Sequence, residues 1–310
     1  MPSSSESADA AVVRILVVGA GQMGAGIAQV AAQAGNEVLL HDVDPRFIER
    51  GIRAIEKNLD RAVEKGRMTA EQRGNTIAHI DPRPAWEDFD VDVAIEAATE
   101  NLAVKLDLFA RIDEHTPPTA MLASNTSSIS ITRLGAATSR PDRVIGMHYF
   151  NPVPVMKLVE VVRGLATSQH TYDEAHALAT SHGKVPVPAH DLPGFISNRV
   201  LCPMLNEAVY ALYEGAGTIE GIDAVMKLGM NHPMGPFELA DFIGLDTVLA
   251  IMQVLHDGFG DDKYRPCPLL RNYVAAGWVG RKAGRGFYDW SGGTMKPAPQ
   301  PNGVAHTAAR

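Results

Sequence analysis

The stretch Arg14–Gly35, RILVVGAGQMGAGIAQVAAQAG, decides the fold of this 310-residue chain. Arg14–Val18 is a short apolar run of the buried-strand kind. Ala25–Ala34 is helix-forming, with Gly35 placed to end it. Between them stands Gly19-Ala20-Gly21-Gln22-Met23-Gly24. A GxGxxG set between strand and helix reads as a dinucleotide-binding turn. Gly19 permits the tight bend, Gly21 lets backbone approach a pyrophosphate, and Gly24 lets the helix lie close on the strand. The helix N-terminus, with Gln22 and Met23, offers N–H groups and a positive dipole end to phosphate. A glycine-rich turn without a ligand is the alternative.

Outward from this stretch, Glu37–Val43 (EVLLHDV) is a second strand ending near Asp42. A carboxylate there accepts hydrogen bonds from the adenosine ribose hydroxyls. It would repel the 2′-phosphate of NADP by roughly 4 kcal/mol per charge pair at about 4 Å, so NAD is favoured. Arg46, close by, is the counterweight. Pro45–Lys65 is a long amphipathic helix with Phe47, Ile48, Ile52, Ile55, Leu59 and Ala62 inward. Its other face carries Arg53, Lys57, Asn58, Arg61 and Lys65, which composition alone assigns to solvent.

Asp92–Ala98 is another strand, followed by Thr99-Glu100-Asn101 and a helix over Leu102–His115. Ligands of open α/β sheets bind at the carboxyl edge of the strands, so Glu100 and Lys105 are candidate coenzyme contacts. Ala120–Ala123 opens onto Ser124-Asn125-Thr126-Ser127-Ser128. Such a turn can cap the next helix or aim hydroxyls and an amide at a ligand.

Arg143–Val162, RVIGMHYFNPVPVMKLVEVV, reads as strand, stiff loop, strand, because Pro152 and Pro154 cannot donate to a ladder. His148 ends the first strand and Glu160 lies on the second. A doubling back can set them side by side, and a carboxylate on one imidazole nitrogen fixes the tautomer for proton transfer. The plainer reading is a strand-end histidine and a solvent-facing glutamate. Thr171–His182 should be a helix and Lys184–Pro188 a short extended piece. The alternation specifies a doubly wound, mostly parallel sheet of Rossmann-like form over residues 13–190.

Past Pro193 the texture becomes helical: Gly194–Tyr213, Ile219–Leu228, Pro236–Phe242 and Asp246–His256 have apolar positions three and four apart. Residues 191–290 therefore read as an all-helical second domain. Asn198, near its start, is either a structural helix-start amide or a neutral donor facing a cleft. The many apolar faces of this domain, Val225, Met226 and Met230 among them, point to a homodimer. Residues 1–12 and 291–310 are too polar or too rich in Pro and Gly to fold.

Hydrophobic content of 45% with 21% charged residues is that of a globular chain. A net charge of −8 argues against nucleic-acid or anionic-membrane partners. Cys202 and Cys267 make no CxxC pair, and His170, His176 and His182 fall on different helix faces, so no metal site is expected. No run approaches twenty apolar residues, and MPSSSESADA lacks the marks of a leader; a soluble cytoplasmic protein is expected.

Together these stretches resemble the L-3-hydroxyacyl-CoA dehydrogenase family, including its short-chain 3-hydroxybutyryl-CoA type. The resemblance runs from about Arg14 to Trp290 and rests on GAGQMGAG, IEAATENLAVK, SNTSS, HYFNPVPVMKLVE, DLPGFISNR, NHPMGPFE and GRGFY. It implies that His148 is the general base and Glu160 its orienting partner. It implies that Ser127 and Asn198 are polar groups near the reacting oxygen. Gly19, Gly21, Gln22, Met23, Gly24, Asp42, Glu100, Lys105 and Asn125 become NAD contacts. Asn58, Lys65, Ser127 and Asn151 become contacts of an acyl-CoA substrate. The family dimerises through its helical domain, and the chain looks like the stand-alone dehydrogenase without a crotonase-type domain. Two rivals share the fold: a sugar-acid dehydrogenase of the gulonate type, and a non-catalytic NAD-binding structural protein.

Overall fold

The computed structural model describes residues 12–292 and 296–298, and the chain parts into two units at Leu192/Pro193. In the first unit, β1 (Arg14–Val18), α1 (Gln22–Gln33), β2 (Glu37–His41) and α2 (Pro45–Glu64) open the chain. They are followed by α3 (Ala70–Ala78), β3 (Ile80–Arg83), β4 (Val93–Glu96), α4 (Leu102–Glu114) and β5 (Met121–Ser124). The unit closes with α5 (Ile131–Gly135), β6 (Val144–Tyr149), β7 (Leu158–Arg163), α6 (Gln169–Ser181) and β8 (Val185–His190). The eight strands lie in the order β3-β2-β1-β4-β5-β6-β7-β8. Neighbours are parallel except β6 and β7, which run antiparallel.

Local chemistry explains the elements. Ile15–Val18 is wholly buried, as strands covered on both faces must be. Helix α2 starts where Asp44 accepts from the Arg46 N–H, with Pro45 in the first turn, and it buries Ile48, Gly51, Ile55 and Leu59. Asn101 caps α4 and Ser168 caps α6 in the same manner. The sequence pattern does not reveal α3 or β3. Helix α3 begins on a Thr69–Gln72 capping box, and β3 carries Asp81, Pro82 and Arg83, which an edge strand tolerates. The extended piece after Lys184 is a true strand, β8; at the opposite edge, Pro186 and Pro188 can leave ladder positions open.

The second unit is built of α7 (Ser197–Tyr213), α8 (Ile219–Ala224), α9 (Pro236–Ile243), α10 (Leu245–Phe259) and α11 (Pro268–Ala275). Helix α7 starts three residues later than the pattern suggests, α8 runs into a π-helical turn at Val225–Gly229, and α11 escaped the pattern altogether. Two buried carboxylates tie the unit together. Asp223 accepts from the Phe237 and Glu238 N–H groups and the Tyr288 hydroxyl; Asp241 accepts from the Phe287 and Tyr288 N–H groups and the Trp290 indole. Within the C-terminal stretch expected not to fold, β10 (Lys296–Pro297) pairs antiparallel with β9 (Tyr288–Asp289). Partner backbone on β9 overrides the polar composition there. Residues 1–11, 293–295 and 299–310 lie outside the described residues. Among the described residues no single helix is long and apolar enough to cross a membrane.

His182, at the end of α6, sits in the first unit's core against Tyr149, whose hydroxyl lies 2.9 Å from Nδ1, and Asn36, whose amide nitrogen lies 3.4 Å from Nε2. The Val13 N–H donates to the Asn36 oxygen, which turns the amide NH2 toward the ring. A protonated ring would set donor against donor there. Burial, with Lys184 adding to it, pushes His182 from 6.5 down to about 4. Below its ordinary value the unfolded chain takes up a proton that the folded ring refuses. The stability from this site is therefore complete above about pH 6.5 and is lost as pH falls toward 4, up to about 3 kcal/mol. His182→Gln should flatten the dependence of the urea midpoint on pH across that window; an unchanged slope would exclude His182 as its source.

Candidate active site

The antiparallel register of β6 and β7 sets His148 directly opposite Glu160. His148 Nδ1 lies 2.7 Å from Glu160 Oε2, with both residues buried. With the carboxylate accepting at Nδ1, proton exchange falls to Nε2. The imidazole also leans on the Phe150 ring, centroids 4.6 Å apart. Asn125, at the exit of β5, accepts the Tyr149 N–H through its side-chain oxygen at 2.9 Å. A residue expected to touch the coenzyme thus anchors the backbone beside His148. The loop joining β6 to β7 is held by Lys184, whose ammonium donates to the carbonyls of Val153 and Met156. Nothing local marks Lys184 for that role: it is one lysine at the head of an extended piece.

Beside this pair, Glu100 organises the polar turn after β5. Its Oε1 accepts from the hydroxyls of Thr126, Ser127 and Ser128 and from the N–H groups of Ser127 and Ser128. Burial alone would raise the Glu100 carboxyl, but Lys105 and these donors prevail and hold it below its ordinary value. Lys105, expected to reach the coenzyme, is 1% exposed, and its ammonium bonds both oxygens of Glu96 at 2.7 and 2.8 Å. It stands 3.5 Å from Glu100 and acts from behind it. The Ser124 hydroxyl completes this buried cluster on Glu96.

The glycine turn has the form a dinucleotide needs. Gly19 has φ +106° and donates its N–H to the His41 carbonyl; a Cβ on Gly24 would fall 1.7 Å from the Gly19 oxygen. A Cβ on Gly21 would meet nothing within 4 Å, so the backbone there opens outward. Asp42 turns back to accept the Ala20 N–H at 2.7 Å. Gly19, Gly21, Gln22, Met23 and Asp42 line one cavity of about 580 Å³. Its rim adds Val43, Phe47 and Val104, apolar side chains left exposed. Phe47, expected on the inward face of α2, is thus 38% exposed, because the cavity rather than the core lies against it, and an exposed apolar side chain carries no signature of its own in sequence. Gly21 and Gln22 also line a second cavity of about 520 Å³, together with Asn58 and Asn151.

Lys65 ends α2, exposed, and lines neither cavity. Asn58 donates weakly to Gln29 at 3.4 Å. Asn198 falls in the first turn of α7 in the second unit, half-buried.

Residues 14–192 match the NAD binding domain, and residues 194–290 the C-terminal domain, of 3-hydroxyacyl-CoA dehydrogenase. A probable 3-hydroxybutyryl-CoA dehydrogenase of Bacillus subtilis (strain 168) is 57% identical over 280 residues, covering 90% of this chain and 98% of that protein. The 3-hydroxybutyryl-CoA dehydrogenase of Bradyrhizobium diazoefficiens is 52% identical over 291 residues, covering 94% of this chain and 99% of that protein. Among solved structures, (S)-3-hydroxybutyryl-CoA dehydrogenase PaaH1 from Ralstonia eutropha superposes with a TM-score of 0.89 at 48% identity, over 90% of this chain and 99% of that one. In its coenzyme-binding half and its helical half alike, the chain belongs to the 3-hydroxyacyl-CoA dehydrogenase family.

Proposed function

We propose that this chain interconverts short-chain (3S)-3-hydroxyacyl-CoA and 3-oxoacyl-CoA, as in fatty-acid β-oxidation, with His148 as the proton-transfer group. The observation that carries the reading is the 2.7 Å contact between His148 Nδ1 and Glu160. NAD, when bound, supplies the hydride acceptor for the carbinol carbon. His148 takes the hydroxyl proton at Nε2, and Glu160 balances the charge that the ring then carries. In the reverse direction the loaded ring returns the proton to the reduced ketone. Ser127 and Asn198 serve as donors where negative charge gathers on the C3 oxygen, a preorganised electrostatic contribution. Glu100 holds the turn that carries Ser127, and Lys105 holds Glu100 in turn. Asp42 receives the ribose hydroxyls, while Asn58, Asn151 and Lys65 receive the CoA ester.

The chain acts in the cytoplasm as a homodimer formed through the helical unit. Support for the dimer comes from Val225, Leu228 and Met230, which are 60%, 87% and 61% exposed on that unit. A monomeric mass by light scattering at micromolar concentration would remove this part of the reading.

His148→Gln should lower kcat for NADH-dependent reduction of acetoacetyl-CoA about a hundredfold or more, the scale of a lost acid–base group. Glu160→Gln keeps a hydrogen-bonding group without the charge and should cost about tenfold or more. Near-normal turnover in either variant would end the assignment of that residue. Parallel assays with free acetoacetate and gulonate-type acids separate the thioester reading from its sugar-acid rival, and no turnover of any of them would favour a binding protein.

A further inference from the structure

Helix α2 approaches the glycine turn so closely that a Cβ on Gly51 would sit 2.7 Å from the Ala20 carbonyl oxygen. That approach carries the preceding residue with it. Arg50 lines both the 580 Å³ cavity that holds Asp42 and the 520 Å³ cavity that holds Asn58 and Asn151. Of the described residues lining the smaller cavity, Arg50 alone bears a formal charge.

The arginines at the head of α2 differ in what they face. Arg46 is gripped by both oxygens of Asp44 at 2.6 to 3.0 Å, and Arg53 reaches Glu49 at 3.5 Å. Among the described residues Arg50 meets no carboxylate at ion-pair distance; its guanidinium carbon lies 4.5 Å from the centre of the Phe47 ring, on the rim of the larger cavity. A solvated arginine on a charged helix face is the plain alternative. It leaves unexplained why, of these three arginines, the one bordering both cavities is the one whose guanidinium closes on no carboxylate, although it feels Asp44 from farther off. A planar cation held in no direct ion pair and laid on an aromatic face is oriented to fork two phosphate oxygens.

We propose that Arg50 is a diphosphate-binding residue that serves the two cavities from their common border. NAD and CoA each carry an adenosine-linked diphosphate, so the chemistry is shared; the CoA half of the proposal rests on the substrate reading above, and the NAD half does not.

The test uses the full-length chain with Arg50→Ala and Arg50→Lys, each checked for an unaltered melting temperature. NADH is titrated by fluorescence in the absence of thioester. KM is then measured for acetoacetyl-CoA and for acetoacetyl-N-acetylcysteamine, a thioester lacking the nucleotide. Arg50→Ala should weaken at least one diphosphate ligand about tenfold or more, with Arg50→Lys intermediate because charge survives without the fork. A raised Kd for NADH assigns the guanidinium to the dinucleotide. A raised KM for acetoacetyl-CoA, with the truncated thioester unaffected, assigns it to CoA. NADH and acetoacetyl-CoA both held within about twofold of wild type would overturn the proposal. Should Arg50→Ala fail to fold, Arg50→Lys carries the same comparison. A wild-type chain inert toward acetoacetyl-CoA would defeat the substrate reading, while the NADH titration would still decide Arg50.

Discussion

In a sheet whose other neighbours run parallel, β6 and β7 run antiparallel, and the chemistry hangs on that one reversal. Parallel neighbours need a long crossover, so they seldom bring residues close in sequence face to face. An antiparallel pair places cross-strand side chains of one face about 5 Å apart at Cβ. His148 and Glu160 occupy such a position. Because side chains alternate along a strand, a slip of one residue would send the two to opposite faces. The register is held from several sides: by the Asn125 side chain on the Tyr149 N–H, by Lys184 under the connecting loop, and by β8 along the far edge of β7.

A second constraint is ionic. Glu96 and Lys105 are both buried, and the pair is completed by the Ser124 hydroxyl and the Ala98 N–H. Taking two charges out of water costs several kcal/mol per ion, about what a well-made pair recovers, so such a pair is weak evidence for stability. It does define position. The lysine places a cation behind Glu100, and Glu100 gathers three hydroxyls and two N–H groups into one turn. A turn made of small polar residues, flexible by composition, is thereby given a single conformation. Lys105 bears on the site through Glu96 and Glu100, from a position 1% exposed.

Much of the site was legible because its motifs are local. Gly19, Gly21 and Gly24 declare a turn whose geometry other residues cannot match, and Asp42 follows at the end of the next strand. The histidine and glutamate were legible as a pair because two prolines force the chain to reverse between them. What stayed hidden is what depends on partners in another element of the fold. Lys105 reads as a sheet-edge cation until Glu96 is seen beneath it. Ser127 reads as one hydroxyl of a polar turn, free to cap a helix or face a ligand, until Glu100 is seen to accept from it. Strand β3 and helix α3 carry no apolar periodicity, since an edge strand and a half-exposed helix have little to bury.

The sequence alone determined the alternation of strand and helix, the dinucleotide turn, the passage to a helical second unit and the pairing of His148 with Glu160. Each follows from short-range physics: side-chain period, glycine's access to positive φ, proline's missing donor. Tertiary structure decided which polar groups point at one another. It turned Lys105 inward, used Asn125 as a backbone anchor, gave β10 a partner, and laid α2 against the glycine turn so that Arg50 borders two cavities. Those outcomes depend on burial and on contacts between different elements, where the cost of an unsatisfied buried polar group selects one arrangement among many that composition would allow.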